Sequence, residues 1–385
     1  MDQPRDSVDV DYDYSPTTTN IQNLIYDIAL SDSSIWIASY GGGLRRMTYE
    51  NFLAGDYIWE VVSPDTFSFS ALGHYNHRLF SSIYHDGTLW VGTAAGVNKS
   101  TNEGRTWTNS KHSSSVSGTL SGNFITSLGV QEVADRTVYW AAAWKASSAE
   151  YYGVCYSRDN GLTWWPALSD STILTSGEYL VDVYGSLRAH NFGFHDSTVY
   201  VAADKGLWIS HDLGMTWGDG PLDQIIDNSI AERLENVDFY SVTQVGDSIW
   251  VGTDDGIAVG WIDQNSGQYN WRIIRAHQPV GISGEPDTYA YPSPFSPRRG
   301  SSTRFQIPVN SPTDVKFDIW NFGMEKVYES PTLNIPGGGL GMMDSYGALR
   351  WDGRDSSGRF VANGVYFYRV KAGGDTWWGK VMVLD

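Results

Sequence analysis

Hydrophobic and polar residues alternate along most of the chain, in short runs that are separated by clusters of glycine and small polar residues. The run SIWVGT at 248–253 is typical, and glycine and aspartate flank it on both sides. Alternation with a period of two predicts β-strands, and the glycine-rich clusters predict tight turns. No helical period is sustained, and one segment, residues 227–236, is predicted as a short helix within a loop. The pattern therefore predicts an all-β fold.

The strand pattern itself repeats along the chain. Five units of about 50 residues fill residues 22–276, and a repeat of this length with about four strands is typical of a β-propeller blade. In each unit an apolar strand ends in a turn of small residues, and a tryptophan closes the unit. The aligned strand aromatics are Trp36, Trp90, Tyr139, Tyr200 and Trp250, and the closing tryptophans are Trp59, Trp107, Trp164, Trp217 and Trp271.

An octet of the form S-x-D/N-x-G-x-T-W occurs in three of the units. Its copies are residues 100–107, 157–164 and 210–217. A calcium loop of the EF-hand type needs oxygen ligands at its first, third and fifth positions and a glutamate at its twelfth. Counted from Asp159, the third position is Gly161 and the twelfth is Asp170. We therefore expect no metal or cofactor at the octets.

The residue types of the octet suit a tight turn. Aspartate or asparagine accepts nearby backbone N–H groups, glycine adopts a positive φ, and threonine restarts a strand. The tryptophan is expected to bury its ring between blades. We assign a structural and non-catalytic role to these turn residues, which are Ser100, Asn102, Gly104, Trp107, Ser157, Asp159, Gly161, Trp164, Ser210, Asp212, Gly214 and Trp217.

The octet resembles the Asp-box, also called the bacterial neuraminidase repeat. This motif occurs in sialidases, sortilin-type receptors, xyloglucanases and photosystem assembly factors. The resemblance implies a β-propeller in which the motif lies on the outer hairpin of a blade, away from the central channel. The first and fifth units, with MTYENFLAGDYIW and DQNSGQYNW, lack the motif.

Charge divides the chain into two parts. The formal net charge is −18, and residues 1–284 carry all of it, because residues 285–385 contain 11 acidic and 11 basic residues. An acidic body argues against binding nucleic acid or anionic lipid through bulk charge. No apolar run is long enough to predict a transmembrane segment. The single cysteine, Cys155, excludes an intrachain disulfide and is predicted to lie in a blade core.

Residues beyond about 285 have a different pattern. The segment 349–373 contains three turn signals, Asp352-Gly353, Ser357-Gly358 and Asn363-Gly364, between alternating strands. The pattern predicts a small antiparallel sandwich. The predicted domains are an N-terminal segment at 1–21, a propeller at 22–280, a linker at 281–296 and a sandwich at 297–385.

This C-terminal module resembles two related families, the FlgD-like Ig domain and the C-terminal sorting domain of type IX secretion cargo. The resemblance covers the opening SPFSP segment at 293–297, the turn at 351–358, the strand at 364–369 and the terminal KVMVL at 380–384. It implies delivery of the chain across an outer membrane by the secretion machinery, while the alternative is an Ig-like spacer. The motif residues are Trp351, Asp352, Gly353, Asp355, Gly358 and Gly364.

Two departures from these families leave the extent of the propeller open. The N-terminus does not have the pattern of a signal peptide, and five blades are few for a propeller of the Asp-box type. One interpretation is a fragment of a larger ring, in which residues 7–15 form the last strand of a preceding blade. The other is a complete ring of five blades that the N-terminal strand closes.

An enzyme is the main alternative to a binding protein. Sialidases use an arginine triad, a Tyr–Glu pair and an acidic Asp, and the usual Arg-Ile-Pro motif is absent from the propeller part of this sequence. A xyloglucanase-like hydrolase needs two carboxylates across a groove, for which Asp182, Asp238 and Asp254 are candidates. His74 and His77 would point to opposite faces of a strand, although a loop could bring them together.

We conclude from the sequence that the chain is a secreted or cell-surface, non-catalytic propeller for recognition or scaffolding. A glycan or a protein is the expected ligand, bound by propeller loops such as the insertion at 142–153, and the expected location is extracellular or on a bacterial outer surface. No nucleic-acid partner is predicted. The alternative is a secreted glycoside hydrolase, and a third interpretation is an assembly factor of the photosystem type.

Overall fold

The structure is a computed structural model, and it describes eleven stretches of the chain. These are residues 5–6, 24–71, 73–134, 136–218, 220–227, 232–235, 237–263, 269–274, 288–308, 312–335 and 349–385. Almost all regular structure in these stretches is β-strand, and nearly all strand pairs are antiparallel. The predicted all-β fold is therefore confirmed.

The chain divides into two compact units. The first comprises Met1–Leu222 and Asp238–Asp254, and the second comprises Asp223–Val237 and Asp255–Asp385. The residues 7–15 that were assigned to a preceding blade or a closing strand lie outside the described stretches.

Successive antiparallel sheets make up the first unit. The first sheet contains β1 (Arg5–Asp6), β2 (Ile25–Leu30), β3 (Ser34–Ser39), β4 (Gly43–Thr48) and β5 (Ile58–Val62), with helix α1 (Tyr49–Ala54) between β4 and β5. The second sheet contains β6 (Leu79–His85), β7 (Thr88–Thr93), β8 (Gly96–Ser100) and β9 (Thr108–Ser110). The short β1 pairs in parallel with β5, at the edge opposite to β2.

The same meander continues along the chain. The third sheet contains β10 (Phe124–Val133), β11 (Arg136–Trp144), β12 (Gly153–Ser157) and β13 (Trp165–Ser169), and helix α2 (Leu180–Tyr184) follows it. The fourth sheet contains β14 (Ala189–His195), β15 (Thr198–Ala203) and β16 (Gly206–Ser210). Two hairpins come next, β17 (Gln224–Asp227) with β18 (Glu232–Glu235) in the second unit, and β19 (Phe239–Val245) with β20 (Ser248–Thr253) in the first.

The first strand of each repeat is the innermost strand of its blade. Contacts join β2 to β6, β6 to β10, β10 to β14 and β14 to β19, so that the first strands follow one another in a row. Apolar side chains from adjacent sheets share the cores between them; for example, Trp36 of β3 packs with Leu89 and Val91 of β7. This succession of antiparallel meanders, packed first strand to first strand, is a β-propeller.

A β-bulge recurs near the start of every innermost strand. The pairing register with the second strand shifts at one residue in each case, and that residue is Tyr26, Phe80, Thr126, His190 or Tyr240. A bulge bends the strand and redirects one side chain out of the alternating pattern. The five bulged residues therefore occupy equivalent positions in the five repeats.

The register corrects one residue of the sequence alignment. In each second strand, one residue pairs with the residue that directly follows the bulge. Two positions before that partner lies Trp36, Trp90, Tyr200 or Trp250 in four of the repeats, and Trp140 in the third repeat. The assignment of Tyr139 was wrong by one residue. Because side chains alternate between faces, Tyr139 points to the face opposite to that of Trp140.

The helix predicted at 227–236 is also wrong where the structure describes this segment. Residues 232–235 form β18, which pairs with β17 and aligns Ile225 with Leu234. Both side chains are fully buried. Alanine, glutamate, arginine and leucine favour a helix locally, but burial of this cross-strand pair outweighs that propensity.

The second unit contains the hairpin β21 (Gly256–Ile262) and β22 (Tyr269–Ile274) and two further sheets. One of these is β23 (Tyr289–Tyr291), β24 (Thr303–Gln306) and β28 (Arg350–Trp351). The other is β26 (Lys326–Glu329), β25 (Thr313–Trp320), β29 (Gly364–Ala372) and β30 (Asp375–Val383), and β27 (Leu333–Ile335) also pairs with β25. Phe305, Phe317 and Tyr368 join the two sheets in one apolar core.

Within the stretches that the structure covers, no helix has both the length and the apolar character needed to cross a bilayer.

Side chains of the innermost strands also connect adjacent blades. The Asp27 carboxylate accepts the Ser82 N–H at 2.8 Å, and the Asn191 side chain, at the equivalent position after its bulge, accepts the Val242 N–H at 3.0 Å. Burial raises the pKa of Asp27 above 3.8, although hydrogen bonds from the N–H groups of Ser82 and Ile28 act in the opposite direction. The charged form of Asp27 therefore opposes folding.

We expect Asp27→Asn to be at least as stable as the parent protein at pH 7. The asparagine oxygen can still accept the Ser82 N–H, as that of Asn191 accepts the Val242 N–H, the substitution removes the partly buried charge, and only the exposed Ile28 N–H loses its acceptor. The pKa of Asp27 is higher in the folded state than in the unfolded state. Protonation of Asp27 therefore stabilises the folded parent protein at pH values below the unfolded pKa, and this stabilisation is lost as pH rises through the folded pKa. The advantage of the variant should therefore shrink as pH falls toward about 4. Urea unfolding at several pH values measures this difference, and a variant less stable than the parent at pH 7 would contradict it.

Candidate functional site

The three octets form the same hydrogen-bonded turn. In the second octet, the Ser157 hydroxyl donates to Asp159 Oδ1 at 2.8 Å and accepts the Gly161 N–H at 2.8 Å. Asp159 Oδ1 also accepts the Thr163 N–H at 2.9 Å. The same bonds join Ser100, Asn102, Gly104 and Thr106 in the first octet and Ser210, Asp212, Gly214 and Thr216 in the third.

The glycine of each octet contacts a tryptophan of the preceding blade. Gly161 has a φ of 78°, and a Cβ atom at this position would lie 2.6 Å from the Trp90 ring. Both the left-handed backbone and the lack of space exclude a larger residue. The equivalent pairs are Gly104 with Trp36, where the distance would be 2.7 Å, and Gly214 with Trp140, where it would be 2.5 Å.

The tryptophans of the octets lie in or against the cores. Trp164 and Trp217 are buried, while Trp107 is partly buried and packs against the cluster around Trp36. The indole N–H groups of Trp107 and Trp217 donate to the carbonyl oxygens of the glycines in their own octets, at 3.0 and 3.1 Å. Each octet thus contacts a different neighbouring blade.

The octet carboxylates are engaged by donors of their own turns. Burial alone would raise the pKa of Asp159, but hydrogen bonds from Thr163, Ser157 and Leu162 outweigh it and hold that pKa below its usual value. The pKa of Asp212 is lowered in the same way, chiefly by Thr216. A cation at either octet would have to compete with these donors. Among the residues with described positions, no three His, Cys, Asp or Glu side chains cluster as metal ligands would.

The motif of the C-terminal module also forms tight turns. Trp351 is buried, and its indole N–H donates to the Arg354 carbonyl at 2.8 Å. The Asp352 carboxylate accepts the Arg354 N–H at 3.1 Å. Gly353 has a φ of 74°, and a Cβ atom there would lie 2.2 Å from Pro297.

The second half of this motif contains another aspartate turn. Asp355 Oδ1 accepts the N–H groups of Ser357 and Arg359 at 2.8 and 3.0 Å. These bonds, led by that from Arg359, lower the pKa of Asp355. Gly358 follows with a φ of 78°, and Gly364 begins β29.

The opening segment of the module pairs with the last residues of the chain. The Phe295 N–H donates to the Met382 carbonyl at 3.0 Å, and the Leu384 N–H donates to the Phe295 carbonyl at 3.0 Å. The Ser296 hydroxyl donates to the Asp385 carboxylate at 2.7 Å. The opening SPFSP segment and the terminal KVMVL segment, two of the four that resemble the sorting and FlgD-like domains, therefore lie side by side.

His74 and His77, the two histidines that the sequence singled out, contribute to the structure of their own loop. Residues 75–77 form a 3-10 helix, not a strand, and bring the rings of His74 and His77 to 5.1 Å. His77 is buried, its Nδ1 accepts the Ser70 N–H at 2.9 Å, and its Nε2 donates to Asp65 at 3.0 Å. Both ring nitrogens of His77 are used by this loop. Cys155 is buried in a blade core, as its apolar neighbours predict.

One edge of the first unit brings together most of the remaining polar and aromatic side chains. We call it the start edge, because each innermost strand begins there and each second strand ends there. At the beginning of the innermost strands lie Leu24, Arg78, Phe124, Arg188 and Asp238. At the end of the second strands lie Tyr40, Ala94, Trp144, Asp204 and Asp254.

A row of aromatic rings follows the start edge through all five repeats. The ring centroids of Tyr26 and Phe80 are 5.3 Å apart, and those of Phe80 and Phe124 are 4.2 Å apart. The row continues to Trp144 at 6.1 Å from Phe124. Two further steps lead from Trp144 to His190, at 5.5 Å, and from His190 to Tyr240, at 5.0 Å. Four of these six rings are bulged residues, and Tyr26 and Tyr240 at the ends are exposed.

On the fourth blade the row contains a hydrogen-bonded histidine–aspartate pair. His190 Nε2 lies 2.7 Å from Asp204 Oδ1, between the rings of Trp144 and Tyr240. The Trp144 indole N–H donates to the Ala189 carbonyl at 3.0 Å, which fixes the ring. These partners hold polar and aromatic groups in one orientation at a partly exposed position.

Two arginines of the start edge lie against aromatic rings in the same way. The Arg78 guanidinium is 5.6 Å from the Tyr40 ring, and the Arg188 guanidinium is 5.8 Å from the Trp144 ring. In each pair the aromatic residue ends or follows the second strand of one blade, and the arginine precedes the first strand of the next. Cation–π contacts of this kind stabilise the positions of the two side chains at the edge.

The carboxylates that the sequence singled out separate into two places. Asp182 is exposed on α2, whereas Asp238 and Asp254 both lie on the start edge. The Asp238 N–H donates to Asp254 Oδ1 at 3.3 Å. Burial raises the pKa of Tyr240, and the charges of Asp238, Asp254 and Asp204 raise it further.

The insertion predicted as a binding loop borders the same edge. Glu150 is buried, and its carboxylate orders the loop. It accepts the Ala146 N–H at 2.7 Å, the side-chain N–H of Asn123 at 2.6 Å and the backbone N–H of Asn123 at 3.1 Å. Tyr152, at the end of the loop, lies 5.6 Å from the Arg188 guanidinium. The insertion therefore extends the start edge next to Trp144.

Sequence analysis missed the bulged aromatics, although the sequence contains a signal for them. A short polar residue follows the bulge in every repeat, and it is aspartate, serine or asparagine. These pairs are Tyr26-Asp27, Phe80-Ser81, Thr126-Ser127, His190-Asn191 and Tyr240-Ser241. The bulged residue itself varies in type, so it could be aligned only after the strand register was known.

Comparison with known proteins gives similarity at the level of solved structures only. No protein family model matches the chain, and no curated protein matches it. PorZ, a bacterial surface component of the type IX secretion system of Porphyromonas gingivalis, is 13% identical with a TM-score of 0.42, over 94% of this chain and 52% of PorZ.

Two other solved structures have comparable scores. The extracellular domain of the two-component system BT4673 from B. thetaiotaomicron is 12% identical with a TM-score of 0.41, over 94% of this chain and 50% of that one. An ancestral GH74 enzyme is 14% identical with a TM-score of 0.43, over 82% of this chain and 39% of the enzyme. The chain thus spans about half the length of PorZ and of the BT4673 domain, and less of the GH74 enzyme.

Proposed function

We propose that this chain is a secreted or surface-displayed recognition protein whose propeller binds a glycan or a protein along the start edge. The observation that carries the proposal is the row of aromatic rings, four of them at β-bulges, that crosses five successive repeats. Bulges redirect side chains and are frequent beside binding sites. A repeated bulge that places a ring at this edge in four of five repeats, with the rings of Tyr26 and Tyr240 exposed, favours a binding surface.

The polar groups along the row suit the same role. Arg188, His190 and Asp204 lie beside Trp144, and each is held by a neighbour in the structure. Aromatic faces with a few fixed donors and acceptors are typical of ligand sites, since rings supply contact area and polar groups supply orientation. Groups that are already ordered lose little entropy when a ligand binds.

The C-terminal module is proposed to serve export or surface attachment. Its support is the resemblance of its motifs to sorting and FlgD-like domains, together with the ordered turns at Asp352 and Asp355. The boundaries at 281–296 and 297–385, the Asp-box assignment of the octets and the extracellular location belong to the same proposal.

A glycoside hydrolase is the second candidate, and one observation favours it. Asp204, Asp238 and Asp254 lie near one phenol, that of Tyr240, on the start edge. Hydrolases of this kind work with two carboxylates on either side of a glycosidic bond. Release of reducing sugar from a bound glycan, and its loss in Asp238→Asn or Asp254→Asn, would establish this function in place of simple binding.

We expect Tyr240→Ala and Arg188→Ala to weaken binding of a glycan selected on an array by at least about tenfold, because each removes a contact group of the start edge. Tyr57→Ala is the matched control, since Tyr57 is also exposed but precedes β5, away from the row. Isothermal titration with the full chain measures the affinities, and circular dichroism checks the fold. Equal affinities for all three variants and the parent would contradict the proposed site.

We expect removal of residues 285–385 to retain the protein inside the producing cell, since the module is proposed to carry the export signal. Immunoblotting of cell and medium fractions measures the distribution. The full chain with Tyr240→Ala is the control and should be exported normally. Export of the truncated chain at the level of the parent would exclude the sorting function and leave the spacer interpretation.

A further inference from the structure

The outer side of the third strand differs in one blade of the first unit. In the first three blades this strand pairs there with a fourth strand, which is β5, β9 or β13. In the fourth blade the third strand is β16, and among the described residues its outer side makes a single bridge, from Leu207 to Leu222. This blade lies within the series of repeats, between the third sheet and the hairpin of β19 and β20, so the difference does not arise at an end of the series.

The strand register shows which residue of β16 lacks an outer partner. Four residues of the third strands are equivalent, because each pairs with the aligned aromatic residue of its second strand; they are Arg46, Lys99, Tyr156 and Ile209. On the outer side, the first three of these residues pair with Glu60, Thr108 and Trp165. Within the described part of the chain, Ile209 pairs with no residue on that side.

The backbone of Ile209 faces this open side. The Leu207 N–H donates to the Leu222 carbonyl at 3.0 Å, and the Leu222 N–H donates to the Leu207 carbonyl at 2.8 Å. Backbone groups that bond to one neighbouring strand recur at every second residue, so the N–H and the carbonyl of Ile209 point outward as those of Leu207 do. The fourth blade thus presents a backbone donor and a backbone acceptor where the other blades have a ladder.

A cavity of about 480 Å³ lies beside Ile209. It is lined by Leu207 and Ile209 of β16 and by Gly218, Gly220 and Pro221 of the segment that follows the octet. In the second and third blades, β9 and β13 begin directly after the octet. Here Gly218 has a φ of 30°, and proline has a fixed φ and no N–H, so this segment does not continue as a strand.

We propose that this cavity binds an extended peptide segment of a partner protein, which adds to β16 as a fourth strand. The Ile209 N–H donates to a peptide carbonyl and the Ile209 carbonyl accepts a peptide N–H, as in other cases of strand addition. The second and third blades show that an antiparallel strand fits against the third strand at this position. The bridge from Leu207 to Leu222 limits the cavity at one end and the third octet limits it at the other, so a single segment fits and the edge of a second sheet does not.

The partner residue opposite Ile209 is expected to be apolar. Side chains of directly paired residues lie on one face and contact each other. In the first blade, Arg46 pairs with Glu60, and its Nε lies 3.5 Å from the Glu60 carboxylate. Isoleucine offers no such charge, so a carboxylate opposite to it would lose water without gaining an ionic partner. The fitting segment is therefore strand-forming, with a β-branched residue such as valine at this point.

Amide hydrogen exchange of the full chain tests the proposal, with the capped peptide Thr-Thr-Val-Thr-Thr as the probe. In the free chain, we expect the Ile209 N–H to exchange at least about tenfold faster than that of Lys99, which lies in a complete ladder. Millimolar peptide should slow the exchange of Ile209 severalfold and leave Lys99 unchanged, and Thr-Thr-Glu-Thr-Thr should have a smaller effect. An Ile209 N–H already as protected as that of Lys99 in the free chain, or equal effects of the two peptides, would overturn the proposal.

Binding of the fluorescently labelled valine peptide, measured by anisotropy, is the second experiment. Ile209→Pro removes the donor at an edge position where proline is tolerated, and it should lower the affinity at least about fivefold. Ile209→Val keeps both backbone groups and is the matched control, while Tyr240→Ala changes the start edge; both should bind as the parent does. Loss of affinity in Tyr240→Ala would place the peptide on the start edge, and unchanged affinity in a folded Ile209→Pro would exclude strand addition.

Discussion

The contact between a tryptophan of one blade and a glycine of the next determines how the repeats of the first unit are arranged. Each ring occupies the space where a side chain on the glycine would lie, and that glycine has a left-handed backbone held by the serine and aspartate or asparagine of its octet. The hydrogen bonds fix the turn, the turn fixes the glycine, and the glycine fixes the distance to the preceding blade. Repetition of this contact aligns the innermost strands, and the alignment brings the bulged residues into one row. We infer that the octets support the proposed site by aligning the blades, although they lie outside that site.

Much of the fold could be predicted from the sequence because its determinants are local. Alternation identified the strands, and the residue types of the octet identified a turn that the structure contains in three places. The errors arose where tertiary contacts decide the outcome. Residues 232–235 form a strand because Leu234 pairs with Ile225 in a core, and Trp140 replaces Tyr139 because a bulge earlier in the sheet sets the register.

The proposed site was harder to predict than the fold because its residues share a position and not a chemical type. Phe80, Thr126 and His190 are equivalent only through the pairing of each innermost strand with its second strand. The sequence did single out Asp238 and Asp254, which lie on the start edge, and also Asp182, which does not. Residue type alone therefore could not distinguish the carboxylates of the start edge from the other carboxylates of an acidic surface. The pairing register of the strands does distinguish them.

A double-mutant cycle between Trp90 and Gly161 tests most directly whether the octets hold adjacent blades together. Gly161→Ala introduces a methyl group that meets the Trp90 ring, whereas Gly246→Ala, at another positive φ with no neighbour within 4 Å, reports backbone strain alone. The account predicts that Gly161→Ala costs more than Gly246→Ala in the parent chain, and that the excess, about 1–3 kcal/mol, disappears in a Trp90→Leu background. Equal costs of Gly161→Ala in the two backgrounds, measured by denaturant unfolding, would show that the octet does not act through its contact with the preceding blade.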